Sequence, residues 1–130
     1  MKVVCLGDSL TYGYGVPRKD CWVSLTAART GHTLVNRGVN GDTTGGMLAR
    51  FGRDVLEERP QRVLLMAGAN DIISGGRHSP ARLDLMAMVR PAEAPGAAYV
   101  FALEPAARLI CGKLVQVGRT AVSCTPQPLE

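Results

Sequence analysis

Three times in its first seventy residues the chain runs from a short apolar stretch straight into a loop of glycine and small polar residues. Residues 2–6 end at Gly7-Asp8-Ser9, residues 33–36 at Arg37-Gly38-Val39, and residues 62–67 at Gly68-Ala69-Asn70. Helical patterns separate these runs. Residues 19–30 carry Trp22, Leu25 and Ala28 at helical spacing and meet Gly31 as a C-terminal stop. Met47, Leu48, Phe51, Val55 and Leu56 line one helical face, with Pro60 as terminator. Ser79-Pro80 reads as an N-cap followed by proline at the first helical position, opening a helix to about Arg90, and residues 98–103 read as a fourth strand. Short buried strands alternating with helices predict an α/β domain, a parallel sheet covered by helices on both faces. Ligands of such sheets lie beyond the C-terminal strand ends, which makes the three loops the places to look.

Length and composition narrow the function classes. A chain of 130 residues fits one domain and can bury roughly two-thirds of its surface. The reading is a single domain over 1–130, with a core at 1–104 and an atypical segment at 105–130. Within that segment, residues 106–112 suggest a short helix, 113–124 one strand or a hairpin around Gly118-Arg119, and 125–130 a frayed tail. No apolar run approaches the ~18 residues of a membrane span, and residues 1–6 are too short for a signal-peptide core. The expected address is the cytoplasm. The net charge of +4 is spread out, with nine basic against six acidic residues in 1–65 and six against five in 66–130. With 5% aromatics there is no basic-aromatic stripe for stacking bases, so no nucleic-acid partner is expected. Cys5, Cys21, Cys111 and Cys124 never form a C-x-x-C pair and stand far from His32 and His78, which argues against structural zinc. They read as reduced thiols, with Cys5 in the core.

Each loop has a chemical reading and a plainer one. Ser9 sits just past a buried strand at a glycine-rich turn, held at the ligand edge, or else it caps the next helix. Gly7, lacking a Cβ, allows the sharp turn. Residues 36–46 can present bare backbone N–H groups to an anion, with a helix N-terminus behind them, or their glycines serve turn geometry alone. Neither G-x-x-x-x-G-K nor G-x-G-x-x-G is present. Asn70 can aim a carboxamide at the same edge, or it makes an Asx-type turn. Together the loops place a hydroxyl, a backbone N–H and a carboxamide donor on one sheet edge. Acyl transfer requires that set: a nucleophile, and donors where a tetrahedral oxyanion forms.

Gly7-Asp8-Ser9-Leu10, Gly41, and Gly68-Ala69-Asn70-Asp71, in this order and each after a strand signal, resemble the first three sequence blocks of the SGNH (GDSL-type) hydrolase family. The resemblance covers residues 1 to about 75 and extends through the following helix and strand to Leu103. It implies a three-layer α/β/α sandwich with a mainly parallel, flavodoxin-like sheet of five strands, its C-terminal part incomplete here. It implies Ser9 as nucleophile and backbone oxyanion donor, Gly41 as a second donor through its N–H, and Asn70 as a third through its side chain. The implied substrates are carboxylic esters, of small molecules, lipids or acetylated sugars, with no metal or organic cofactor. The G-x-S-x-G elbow of the other large esterase fold is absent, since Thr11 stands where its second glycine would be. Asp8 and Asp71 are assigned turn-fixing roles. Tyr12 and Tyr14 either line an acyl pocket or pack the turn.

The family's closing block, Asp-x-x-His, supplies the general base and its orienting acid, and this sequence contains none. Its last aspartate is Asp84 and its only histidines are His32 and His78. His32 falls between the first helix and the second strand, at the opposite sheet end from Ser9. His78 follows the third strand on the correct edge and is the one weak candidate base. Feeble or undetectable esterase activity is therefore expected of the 130-residue chain. The alternatives are a truncated or frame-disrupted hydrolase and a domain that binds carboxylates or acyl groups without catalysis. A phosphate-binding regulatory domain lacks the lysine or paired acids it would need. An unpaired edge at the fourth or fifth strand would favour a homodimer.

Overall fold

The computed structural model describes residues 1–74, 78–92 and 99–102. In chain order the elements are β1 (Lys2–Gly7), α1 (Ser9–Tyr12), α2 (Trp22–Thr30), β2 (Thr33–Gly38), α3 (Thr44–Asp54), β3 (Arg62–Leu65), α4 (Ala69–Ile73), α5 (His78–Ala92) and β4 (Tyr99–Ala102). Single 3-10 turns occupy Arg18–Asp20 and Leu56–Glu58.

The four strands pair in the order β2-β1-β3-β4, all parallel, with Val4 opposite Val35 on one side and Val63 on the other. This matches the first four places of the flavodoxin-like order, as the resemblance implies. From β1 the chain first moves outward to β2, then returns past β1 to β3. The C-terminal ends of β1 and β3 flank that reversal, where ligands of doubly wound sheets bind.

Strand side chains alternate between faces, and the alternation sorts the core. Val4 and Leu6 of β1 join Val63 and Leu65 of β3 on one face, against Met47, Phe51 and Val55 and against Ala81, Leu85 and Met88 of α5. Val3 and Cys5 turn to the other face and meet Cys21 and Val23, with Trp22, Leu34 and Leu64 partly buried beside them. The result is the expected three layers. Each fully buried Leu or Val contributes about 1.5–3 kcal/mol relative to exposure.

Several boundaries differ from the sequence reading. The 3-10 turn separates Lys19 from α2, which starts at Trp22. Leu25 and Ala28 of that helix are exposed, and Val23 is its buried residue. Only the N-terminal end of α2 is closely buried, so a regular spacing carried along the helix picks the wrong face. On α3 the apolar stripe holds through Val55, but Arg59 then turns left-handed (φ +48) and Leu56 is left exposed. β2 runs to Gly38 and β3 stops at Leu65. α5 begins at His78, so Ser79 lies in its first turn and is not the N-cap. The expectations for 105–130, including Cys111, Cys124 and a fifth strand, lie outside the described residues. Among the described residues no helix is long and apolar enough to cross a membrane.

Candidate active site

The first loop is built around a close backbone approach. A Cβ on Gly7 would run into the Thr11 hydroxyl and the Met66 carbonyl, so the tight exit from β1 needs glycine. Asp8 is buried, and its carboxylate accepts the Leu10 N–H at 3.0 Å. Asp8 is thus the cap of α1, in the turn-fixing role expected of it, and Ser9 is the first helical residue. The capping alternative for Ser9 falls away. Its hydroxyl has no hydrogen-bond partner among the described residues, and as a first-turn residue its N–H has no intrahelical acceptor. The segment is held from behind: Trp22 Nε1 donates to the Leu10 carbonyl at 2.9 Å, and the Ser9 carbonyl accepts from Gly13 N at 3.0 Å.

The second loop is tied to the first. Val39 N donates to the Gly7 carbonyl at 3.0 Å, and Asp42 N closes a turn on the Val39 carbonyl at 3.1 Å. Gly41 occupies the third position of that turn at φ +76, while Asn40 keeps a negative φ. This is the type II pattern, in which the third residue must tolerate positive φ. The turn holds Gly41 on the exposed side of the loop, with no described acceptor on its N–H.

The third loop reaches across to the second. Asn70 Nδ2 donates to the Asp42 carbonyl at 2.8 Å. This uses one of its two amide hydrogens and leaves the second for a ligand. The contact replaces the local Asx turn as the account of Asn70. Asp71 accepts from Thr44 N at 3.0 Å and from Thr44 Oγ1 at 2.7 Å. The Thr44 N–H at the start of α3 is therefore met by the chain's own carboxylate, and a negative charge placed there further weakens the phosphate-binding alternative. Asp71 is turn-fixing too, though it joins two loops.

One residue that organises the site was missed from the sequence. Arg50, only 10% exposed, donates from Nε to Asp42 Oδ2 (2.8 Å), from Nη1 to the Arg37 carbonyl (2.8 Å) and Asp54 Oδ2 (2.9 Å), and from Nη2 to the Gly7 carbonyl (2.9 Å). Arg53 adds a bond to Asp54 Oδ1 at 2.8 Å from outside. The Arg53 hydrogen bond, then that of Arg50, holds the Asp54 carboxyl below the ordinary carboxylate range against the opposing effect of burial. A signal was present in the sequence: Arg50 and Asp54, four apart, fall on the same stripe as Met47 and Phe51, where charge must be paired to be buried.

The remaining candidates separate clearly. His32 stands beyond the N-terminal end of the sheet, its Nδ1 3.1 Å from the amino group of Met1, far from Ser9 as expected. His78 opens α5, and its side chain lies outside what is described. Tyr12 lies under the Arg18 guanidinium, 5.4 Å from ring centroid to Cζ, and Tyr14 is 76% exposed, so neither packs the turn interior. Cys5 is buried, and desolvation, reinforced by Cys21, pushes its thiol up to about 12. Ser9, Gly41 and Asn70 thus come from three loops that hydrogen bonds join at one sheet edge.

Comparison with known proteins agrees with this architecture. The model of the GDSL-like Lipase/Acylhydrolase family matches residues 5–128, further along the chain than the three motifs reach. An arylesterase of Vibrio mimicus is 40% identical over 79 residues, covering 57% of this chain and 40% of the relative. Esterase TesA of Pseudomonas aeruginosa is 31% identical over 100 residues, covering 73% of this chain and 50% of the relative. A crystal structure of TesA superposes with a TM-score of 0.74 at 29% identity, covering 78% of this chain and 59% of that one. The chain spans about half the length of the curated relatives it matches.

Proposed function

Because this chain belongs to the GDSL-like lipase/acylhydrolase family, we propose that its loop edge is a serine-ester-hydrolase site acting through an acyl-enzyme. The observation that carries the reading is the pair of bonds joining the loops, Val39 N to the Gly7 carbonyl and Asn70 Nδ2 to the Asp42 carbonyl. They tie together the loops that carry the Ser9 hydroxyl, which has no partner among the described residues, the Ser9 and Gly41 N–H groups and one spare amide hydrogen of Asn70.

In this reading Ser9 Oγ attacks the ester carbonyl carbon, and the displaced π electrons move onto the carbonyl oxygen. The Ser9 N–H, the Gly41 N–H and Asn70 Nδ2 donate to that oxyanion, and each such donor is worth about 10²–10³ in rate. Collapse breaks the bond to the alkoxide, which leaves as the alcohol with the proton given up by Ser9 and carried by solvent, and the acyl group stays on Ser9. Water then attacks the same carbon, the bond to Ser9 Oγ breaks, a proton from that water returns to Oγ, and the acid departs.

The proton leaving Ser9 needs an acceptor. The sequence contains no Asp-x-x-His, and His32 is at the wrong end of the sheet. Oxyanion donors and binding alone sustain about 10³–10⁴-fold catalysis over water. The proposed activity is therefore slow, below about 1 s⁻¹ on a short-chain aryl ester, the low end of ordinary enzyme turnover. The lack of that motif also favours a second reading, a domain that binds carboxylates or acyl groups without turning them over.

Labelling with a fluorophosphonate serine probe, with Ser9→Ala as control, tests both. Slow labelling that vanishes in the Ser9→Ala variant supports the hydrolase reading. A folded protein left unlabelled supports the binding reading. Turnover well above 1 s⁻¹ that is lost in Ser9→Ala would show that a base completes the site.

A further inference from the structure

We propose that Arg50 is a positioning residue that sets the Ser9 nucleophile against the Gly41 and Asn70 donors, a role that rests on the hydrolase reading above. Its guanidinium uses four of five N–H groups, and every acceptor but one belongs to the loop edge. The Gly7 carbonyl lies two residues before Ser9. The Arg37 carbonyl lies near the end of β2, where the second loop begins. The Asp42 carboxylate belongs to the residue after Gly41, whose carbonyl receives Asn70 Nδ2.

A single planar cation thus grips the chain one or two residues from Ser9 and Gly41, and its acceptor Asp42 is also the residue that receives Asn70. Its base is rigid, because the neighbouring Met47 and Phe51 of α3 are buried in the core. The fourth acceptor, Asp54, fixes the guanidinium from its own helix one turn on. The Gly7 carbonyl, receiving both Val39 N and Arg50 Nη2, has both lone pairs engaged.

A fork of fixed geometry explains why arginine stands here. Lysine would keep the charge but offers one nitrogen, which cannot reach two carbonyls and two carboxylates at once. The consequence of losing the fork is misplacement, not loss of charge. A shift of about 1 Å between reacting groups costs up to about 10²-fold in rate.

The test compares wild type, Arg50→Lys and Arg53→Ala by two readouts: the fluorophosphonate labelling rate at Ser9, and the amide ¹H–¹⁵N resonances of Ser9 and Gly41. Arg53 is 73% exposed and touches Asp54 but neither loop, so its removal is expected to leave both readouts unchanged. Arg50→Lys is expected to slow labelling about tenfold or more and to move both resonances. A labelling rate within about twofold of wild type, or an equal loss in both variants, overturns the proposal. If wild type itself is unlabelled, the hydrolase reading fails, and the resonances decide: moved in Arg50→Lys they uphold the positioning role, unmoved they refute it. Should Arg50→Lys not fold, Asp42→Asn weakens the same fork from its partner's side. It is expected to move the same two amides, and unmoved amides again refute the role.

Discussion

The side-chain amide of Asn70 donates to the backbone carbonyl of Asp42 at 2.8 Å, joining the loop after β3 to the residue that follows Gly41. Two of the proposed oxyanion donors therefore move together, since displacing one strains the hydrogen bond to the other's neighbour.

Replacing Asn70 by alanine removes a donor and this tie at once. Phosphonylation of Ser9 is expected to slow by about 10²–10³-fold. Stability should change by only about 1 kcal/mol, the net value of one hydrogen bond. Labelling kinetics with a urea titration separate the two effects. An unchanged rate in a folded variant would remove Asn70 from the site.

The two glycines of the loop edge are expected to fail differently. At Gly41 (φ +76) an added Cβ meets nothing within 4 Å, so Gly41→Ala suffers from backbone strain alone, about 1–2 kcal/mol. At Gly7 the Cβ collides with Thr11 and the Met66 carbonyl, and Thr11 is buried. Gly7→Ala should accordingly have the lower melting temperature of the two. The reverse order would contradict the packing at the end of β1.

Acid should weaken the fold through Asp54 and Glu58. Arg53 and Arg50 lower the Asp54 value, and Lys2, then Arg37, lower that of Glu58. With folded values below the unfolded ones, these groups stabilise at pH above the unfolded values, near 4. That contribution is lost as pH falls through the lower folded values. Urea midpoints measured from pH 7 to pH 3 should decline below about pH 4.5, and Asp54→Asn should flatten the decline.

Cys5 should be chemically silent in the native protein. Its thiol, pushed up to about 12, carries almost no thiolate at pH 8. Mass mapping after iodoacetamide treatment should find Cys5 unmodified in buffer and modified in urea. Modification in buffer would mean that the β1 face opens readily.

Local pattern was sufficient for much of this protein. Apolar runs ending on Gly7 and Gly68 made β1 and β3 readable, because a buried parallel strand must be apolar on both faces. Gly31 marked the end of α2, because a left-handed cap there favours glycine. The order of Ser9, Gly41 and Asn70 behind successive strands brought them to one edge, because a parallel sheet directs all its C-terminal ends the same way. Tertiary structure alone decided what those residues touch. Asp8, not Ser9, caps α1. Asn70 reaches Asp42 across a gap of 28 residues, where local turn chemistry pointed to its own backbone. The buried face of α2 was likewise invisible, and of the four-way grip of Arg50 only the partner Asp54, four residues on, could be read; the physical reason is the same for both. Periodicity reports which side chains avoid water, whereas hydrogen-bond partners distant in sequence exist only once the sheet has brought the loops together.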